Sequence, residues 1–357
     1  MTAGEIPLLE ELLAAPGPSG FEGRPQAIWT AAAAGIADEV RRDVSGNARA
    51  TLRGADPAAP TVMFAGHMDE IGLMIVHVDD EGFLWFDPIG GWDPQVFVGQ
   101  RVTLLGREGL VPGVIGKKAV HLMEKKDRET VSTAAELWID IGATDRDDAL
   151  TRTRVGDAGV LAGPPQRLPG GRLVSRSLDN RIGAFVVLEA LRLLTSPRPA
   201  VQVTAVATAQ EEIAYTGGGA RPSAQDLAPV CAVVVDVTHA TDTPGVEKKR
   251  HGDVRLGGGP VLSRGSAVHP LVFEQLVAAA EREEIPYTLL AAARHTGTDA
   301  DQIFTSARGV ATGVLSVPLR YMHSPNEMAS LADVERAARL LAAFARGLPP
   351  DVDFTVR

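Results

Sequence analysis

Apolar and polar positions along this chain fall into two textures, and the contrast between them predicts its organisation. Leu8 to Ala15 repeats apolar residues at helical spacing and stops at the rigid turn Pro16-Gly17-Pro18-Ser19-Gly20. A second helix is predicted over about Pro25 to Ala37, rich in alanine, the strongest helix former. Val40 to Leu52 alternates around Ser45-Gly46-Asn47 and predicts a hairpin. Thr61 to Ala65 is a continuous apolar run, as expected of a parallel strand covered on both faces. The same signature returns at Val201 to Val206, Val230 to Val235 and Val310 to Pro318. Between and after these runs come helical patterns over about Arg181 to Leu194, Pro270 to Glu283 and Leu331 to Leu348.

From about Leu73 to Gly163 the texture changes to short strands of near-even spacing. Leu73 to Val78, Phe83 to Phe86, Arg101 to Leu105, Leu110 to Ile115 and Glu136 to Ile141 are interleaved with Gly90-Gly91, Gly99, Gly106, Gly113 and Gly116. No long helical pattern interrupts them, which predicts a barrel-like insertion over 72–163 in an α/β domain made of 1–71 and 164–357. The fold class expected is therefore α/β, a central sheet flanked by helices with an inserted β-rich domain.

Composition narrows the functional classes. With 45% hydrophobic residues in 357 a sizeable core is available, and the 5% aromatic content leaves Ala, Val and Leu to fill it. Acidic residues outnumber basic ones, 45 to 35, and the formal charge of -10 argues against a nucleic-acid partner. The short basic clusters Lys117-Lys118, Lys125-Lys126 and Lys248-Lys249-Arg250 read as solvated loops. The single cysteine, Cys231, cannot form an internal disulfide, so a reducing, cytoplasmic compartment is expected. No leader pattern opens the chain, and no run approaches the roughly 20 apolar residues of a membrane span.

The candidate chemistry sits where the apolar strands end. The run through Val206 leads to Gln210-Glu211-Glu212, and two adjacent carboxylates repel unless something compensates them. Thr61 to Ala65 leads to Gly66-His67-Met68-Asp69, in which His67 and Asp69 project to the same side of an extended segment. That spacing suits a carboxylate that fixes the ring of a metal-binding imidazole. Asp236 closes the run from Cys231, and His323 follows the last strand. Asp179-Asn180 opens an apolar helix, where either residue could also serve as the N-cap. His121 lacks acidic or histidine neighbours at ligand spacing and reads as structural. Gly257-Gly258-Gly259 fits no phosphate-binding fingerprint.

Ligands of open α/β sheets bind outside the carboxyl ends of the strands, so these side chains have a geometric reason to converge. Two histidines with several carboxylates and no thiolate suit zinc, cobalt or manganese better than magnesium. Five ligating side chains are too many for one catalytic ion that keeps a water. They suit two ions roughly 3.5 to 4 Å apart that share a carboxylate. One further carboxylate, free of metal, would move the proton, and the adjacent glutamates can divide the two roles because their side chains diverge.

At this point the chain resembles the M42 family of metallo-aminopeptidases, which includes tetrahedral (TET) and some glutamyl aminopeptidases. The resemblance runs through Pro16 to Gly20, Gly66-His67-Met68-Asp69-Glu70-Ile71-Gly72, Ser177 to Arg181, Gln210-Glu211-Glu212, Val235 to His239 and Met322-His323-Ser324. It implies a zinc-peptidase-like mixed sheet whose β-rich insertion builds dimers, and these assemble into a hollow dodecamer that admits unfolded peptides. It also implies that His67, Asp179 and Asp236 hold one ion and that Asp179, Glu212 and His323 hold the other. By the same resemblance Glu211 is the general base and acid, and Asp69 the partner of His67. His295, Thr298 and Asp299 are candidate substrate-side groups, and His239 has no vacant place among the ligands.

One further feature departs from the family pattern. The turn Ile213-Ala214-Tyr215-Thr216-Gly217-Gly218-Gly219-Ala220 is longer than the family's short glycine turn, which leaves the pocket wall and substrate preference open. The expected activity is removal of N-terminal amino acids from peptides. The rivals are a two-metal deacylase of N-acyl amino acids, an endoglucanase-like glycosidase needing two carboxylates about 5 to 9.5 Å apart, and a metal-stabilised scaffold without a spare base.

Overall fold

Three parallel pairings join four strands, Gln202–Thr208, Thr61–His67, Cys231–His239 and Ala311–Arg320, at the centre of a mixed sheet of 11 strands. This is a computed structural model, and it describes residues 6–56, 58–213 and 218–356. Every residue of Thr61–His67 after the first is buried, as its unbroken apolar run predicts. The hairpin Glu39–Arg42 and Ala48–Leu52 extends one side of the sheet antiparallel, and Glu327–Ser330, Arg172–Ser175 and Gln166–Leu168 extend the other. Val261–Gly265 pairs antiparallel with Ala311–Arg320 and parallel with Thr288–Ala292.

Register aligns the strand ends. Thr208 pairs with His67, and Val234 with Ala65, so the carboxyl ends that carry the candidate residues share one edge of the sheet. Asp236 lies inside its strand and does not follow it, because pairing with Ala311–Arg320 continues as far as His239. The last strand likewise runs two residues beyond the predicted Pro318.

The helix Leu178–Leu193 packs directly on these strands, and two glycines allow it. A Cβ on Gly66 would sit 2.4 Å from the backbone of Gly183, and one on Gly183 would meet the Val235 carbonyl at 2.5 Å. Gly66→Ala is expected to lift the helix from the sheet and cost about 1–3 kcal/mol or more, as overpacking does. Denaturant unfolding of the metal-free protein would show it as a lower midpoint. Trp29, wholly buried, ties the second helix to the same place by donating its indole N–H to the Ala184 carbonyl at 2.8 Å. Phe64 meets Phe344 of the terminal helix Leu331–Gly347 with ring centroids 6.4 Å apart.

The β-rich insertion closes into a six-stranded barrel in the order Gly72–Val78, Leu84–Ile89, Trp138–Asp140, Gly109–Gly116, Arg101–Gly106, Ala158–Leu161. It has its own core, in which Phe86 packs edge-on against Phe97 at 5.5 Å among Leu73, Ile75, Val102, Leu104 and Ile139. The sequence pattern does not predict the closing strand Ala158–Leu161. That strand is short and buried on both faces, so it lacks alternation, and pairing with Gly72–Val78 and Arg101–Gly106 alone makes it a strand. Among the described residues no helix is long and apolar enough to cross a membrane.

Candidate metal centre

Two imidazoles face one carboxylate. Asp179 places Oδ1 3.1 Å from His67 Nε2 and Oδ2 3.5 Å from His323 Nε2, so its two oxygens serve two histidines from different strand ends. Glu212 Oε2 lies 3.3 Å from His323 Nε2. Asp236 Oδ1 and Glu211 Oε2 each stand 3.9 Å from His67 Nε2. One ligand atom from each of His67, Asp179 and Glu212 fits within a span of 4.8 Å.

Asp179 reaches this position because its neighbour takes the capping role. Asn180 Oδ1 accepts the Gly183 N–H at 2.9 Å while its amide donates to the Val235 carbonyl at 2.8 Å. The Asp179 carboxylate is thereby left to the histidines. Asp179 and Asn180 are non-helical and joined by a cis peptide bond.

Both imidazoles are oriented from behind. His323 Nδ1 donates to the Gly91 carbonyl at 2.6 Å, since a carbonyl can only accept, which leaves Nε2 as the ring atom that faces Asp179 and Glu212. Gly91 follows the barrel strand Leu84–Ile89, so the insertion contributes to the site. His67 Nδ1 lies 3.3 Å from Asp69 Oδ1. Asp69, wholly buried, also accepts the Glu211 and Glu212 backbone N–H groups at 3.1 Å each and the Ser19 hydroxyl at 2.6 Å. The rigid turn Pro16 to Gly20 thus reaches the centre through Ser19.

Charge is unbalanced inside this cluster. Burial pushes the Glu211 carboxyl up to about 10, against the pull of His67 and with Asp236, Asp299 and Glu212 adding like-charge repulsion. Burial likewise drives Asp236 well above the usual carboxylate range, and Glu212 upward, with repulsion from Asp179 adding to both. Burial opposes ionisation of Asp179, but hydrogen bonds from His323 and His67 outweigh it and hold that carboxylate low. Among the described residues Glu212 Oε1 is buried without a hydrogen-bond partner. A surplus of crowded carboxylates, one with an orphaned oxygen, fits a site built to hold divalent cations.

The three substrate-side candidates are placed differently. Asp299 is buried, accepts the Thr208 hydroxyl at 2.5 Å and is pushed to about 6, by burial first, against the pull of His67. Thr298 spends its hydroxyl within its own loop, on Thr296 and the Ala300 N–H. Among the described residues no hydrogen bond or ion pair joins the exposed His295, or His239, to the cluster. The part of the long turn from Ala214 to Gly217 lies outside the described residues.

A buried ion network supports the centre. Arg181, wholly buried, donates to the carbonyls of Met68 at 2.5 Å and Ala15 at 2.9 Å and to Glu70 Oε1 at 2.9 Å. Glu70 also pairs with Arg176 and accepts the Gly17 N–H at 3.1 Å. Burial pulls Arg181 down to about 10 even beside Glu70, which still leaves it charged at neutral pH. Arg181→Met is expected to cost about 3–5 kcal/mol, because it strips a charged donor from four backbone carbonyls, those of Leu12, Ala15, Gly17 and Met68, and from one oxygen of the buried Glu70. Urea unfolding of the metal-free protein measures it.

The mixed sheet with its inserted barrel and this histidine–carboxylate edge define a protein of the zinc-peptidase fold. The chain belongs to the M42 family: the family model described as M42 glutamyl aminopeptidase matches residues 46–340. The lysyl aminopeptidase of Pyrococcus furiosus is 35% identical over 351 residues, covering 98% of each chain. A TET aminopeptidase from the marine sediment archaeon Thaumarchaeota archaeon SCGC AB-539-E09 superposes with a TM-score of 0.89 at 33% identity, covering 96% of this chain and 95% of that one. The TET1 peptidase of Pyrococcus horikoshii, which can assemble into a tetrahedron or a large octahedral shell, gives 0.84 at 29% identity over 96% of this chain and 99% of its own. Membership sets the class of reaction, aminopeptidase hydrolysis, and implies a divalent metal.

Proposed function

We propose that this protein removes N-terminal residues from peptides with two divalent ions, zinc, cobalt or manganese. His67, Asp179 and Asp236 would hold one ion, and Asp179, Glu212 and His323 the other. The observation that carries the reading is the Asp179 carboxylate set between two imidazoles, the arrangement a shared ligand requires. When bound, such a pair activates a water and stabilises negative charge developing on the scissile carbonyl.

The protein's own part is proton transfer and orientation. The Glu211 side chain retains 19% exposure against 6% for Glu212, so Glu211 faces the side from which water and peptide approach while Glu212 turns inward. Glu211 would take the proton from the attacking water on a carboxylate oxygen and pass it to the departing amine. Asp69 holds the backbone of both glutamates and the His67 ring, which fixes which carboxylate faces which way. Asp299 would be the substrate-side group, a buried carboxylate near enough to raise Glu211 and of the charge that suits a substrate ammonium.

The homo-oligomeric assembly of TET relatives is carried to this chain as part of the proposal, with the barrel of 72–163 as the dimer-building unit. The functional test is hydrolysis of aminoacyl-p-nitroanilides and their N-acetylated counterparts by chelated protein after metal is restored. Cleavage of the free-amine set alone is expected. Turnover of the acetylated set alone would replace this reading with the deacylase, and chelator-resistant cellulose hydrolysis would replace it with the glycosidase.

A further inference from the structure

Glu327 opens the strand Glu327–Ser330 and is buried, only 2% exposed. Its two oxygens serve two segments that meet only in the folded protein. Oε2 accepts the Asp179 N–H at 3.0 Å, and Oε1 accepts the His323 N–H at 2.9 Å. Neither amide sits in regular structure: Asp179 has φ -79° and ψ 105° inside a break in its helix, and His323 has φ 58°. One carboxylate holds both of these amides.

The arrangement mirrors Asp69. There a buried carboxylate accepts the N–H groups of Glu211 and Glu212; here another accepts those of Asp179 and His323. Glu327 is placed by register, because Ser175 pairs with it and the chain then turns through Arg176 to Leu178 into Asp179. Asp179 and Glu212 both repel it, so a neutral side chain would be cheaper at this position unless the two acceptor oxygens were needed.

We infer that Glu327 is a positioning residue: by gripping the Asp179 and His323 amides it sets the separation of the shared carboxylate from the His323 imidazole, and so the affinity for the cation they would hold. The inference rests on the proposed metal centre. Glu327→Gln replaces one acceptor oxygen with an NH2 that faces a backbone donor. Glu327→Asp keeps the charge but, one methylene shorter, cannot reach both amides.

The experiment titrates zinc into chelated full-length wild type and both variants against a chromophoric chelator, with calorimetric unfolding of the metal-free proteins and aminopeptidase assays alongside. The expected result is a loss of about 10–100-fold in affinity for at least one zinc ion, the effect of removing a residue that orients a ligand. Metal-free unfolding should shift by only a few degrees, and activity should recover in part at high zinc. A folded variant with wild-type zinc affinity overturns the inference, as does a fall in metal-free stability with affinity intact. If the Gln variant does not fold, the Asp variant decides. Wild type that binds zinc but cleaves no peptide would sink the proposed activity and leave the Glu327 result standing, whereas wild type that binds no zinc would sink both.

Discussion

Glu211→Gln is expected to lower kcat on aminoacyl-p-nitroanilides by about 10²–10⁴-fold, the usual worth of a positioned general base and acid. KM should change little and bound metal should stay at the wild-type level. The side chain keeps its size and its backbone N–H still reaches Asp69, so the fold around it has no reason to shift. What is lost is an oxygen that can accept a proton at the exposed edge of the cluster. Metal analysis of the purified variant separates the outcomes. Intact metal with lost turnover assigns the proton to Glu211, whereas lost metal would make Glu211 a ligand and give the base role to Glu212.

Asp179→Ala is expected to act through metal. Among the described residues this carboxylate alone faces both histidines, so its removal should weaken both of the proposed ions together, whereas loss of Asp236 or His323 should weaken one. If the ions supply several kcal/mol of charge stabilisation, their loss corresponds to roughly a thousandfold or more in kcat/KM. Added zinc should restore little. Zinc stoichiometry by mass spectrometry under native conditions is the direct check, and two ions retained by the Ala variant would remove Asp179 from the shared position. The metal-free variant should be less stable than metal-free wild type, because both buried imidazoles lose the carboxylate they pair with.

Much of the candidate site is legible in the sequence. His67, Asp179, Glu211, Glu212, Asp236 and His323 each follow or end a run whose hydrophobic pattern marks it as buried, or open a strongly apolar helix. Parallel pairing then brings strand ends to one edge without further information. The choice between Asp179 and Asn180 as cap was not legible, since both residue types cap well. It was settled by which side chain could reach the Gly183 N–H.

The supporting residues were hidden for a different reason. Glu327 follows His323 by four positions in a polar stretch, and nothing local shows that its oxygens meet an amide from a helix opening far earlier in the chain. Gly91 acts through a carbonyl that every residue possesses, so residue type carries no signal for it. The closing barrel strand Ala158–Leu161 is defined by partners on both sides and lacks a period of its own.

By itself, then, the sequence determined the α/β class, the β-rich insertion and the residue types at the strand ends, because burial periodicity and metal-ligand chemistry are written locally. Tertiary structure alone decided which oxygen faces which imidazole, which glutamate points outward, and that Asp69 and Glu327 accept the backbone N–H groups of Glu211, Glu212, Asp179 and His323. Those are contacts between segments distant in sequence, and a hydrogen bond a few tenths of an ångström long or short depends on the packing of the whole sheet, barrel and helix that bring its two ends together.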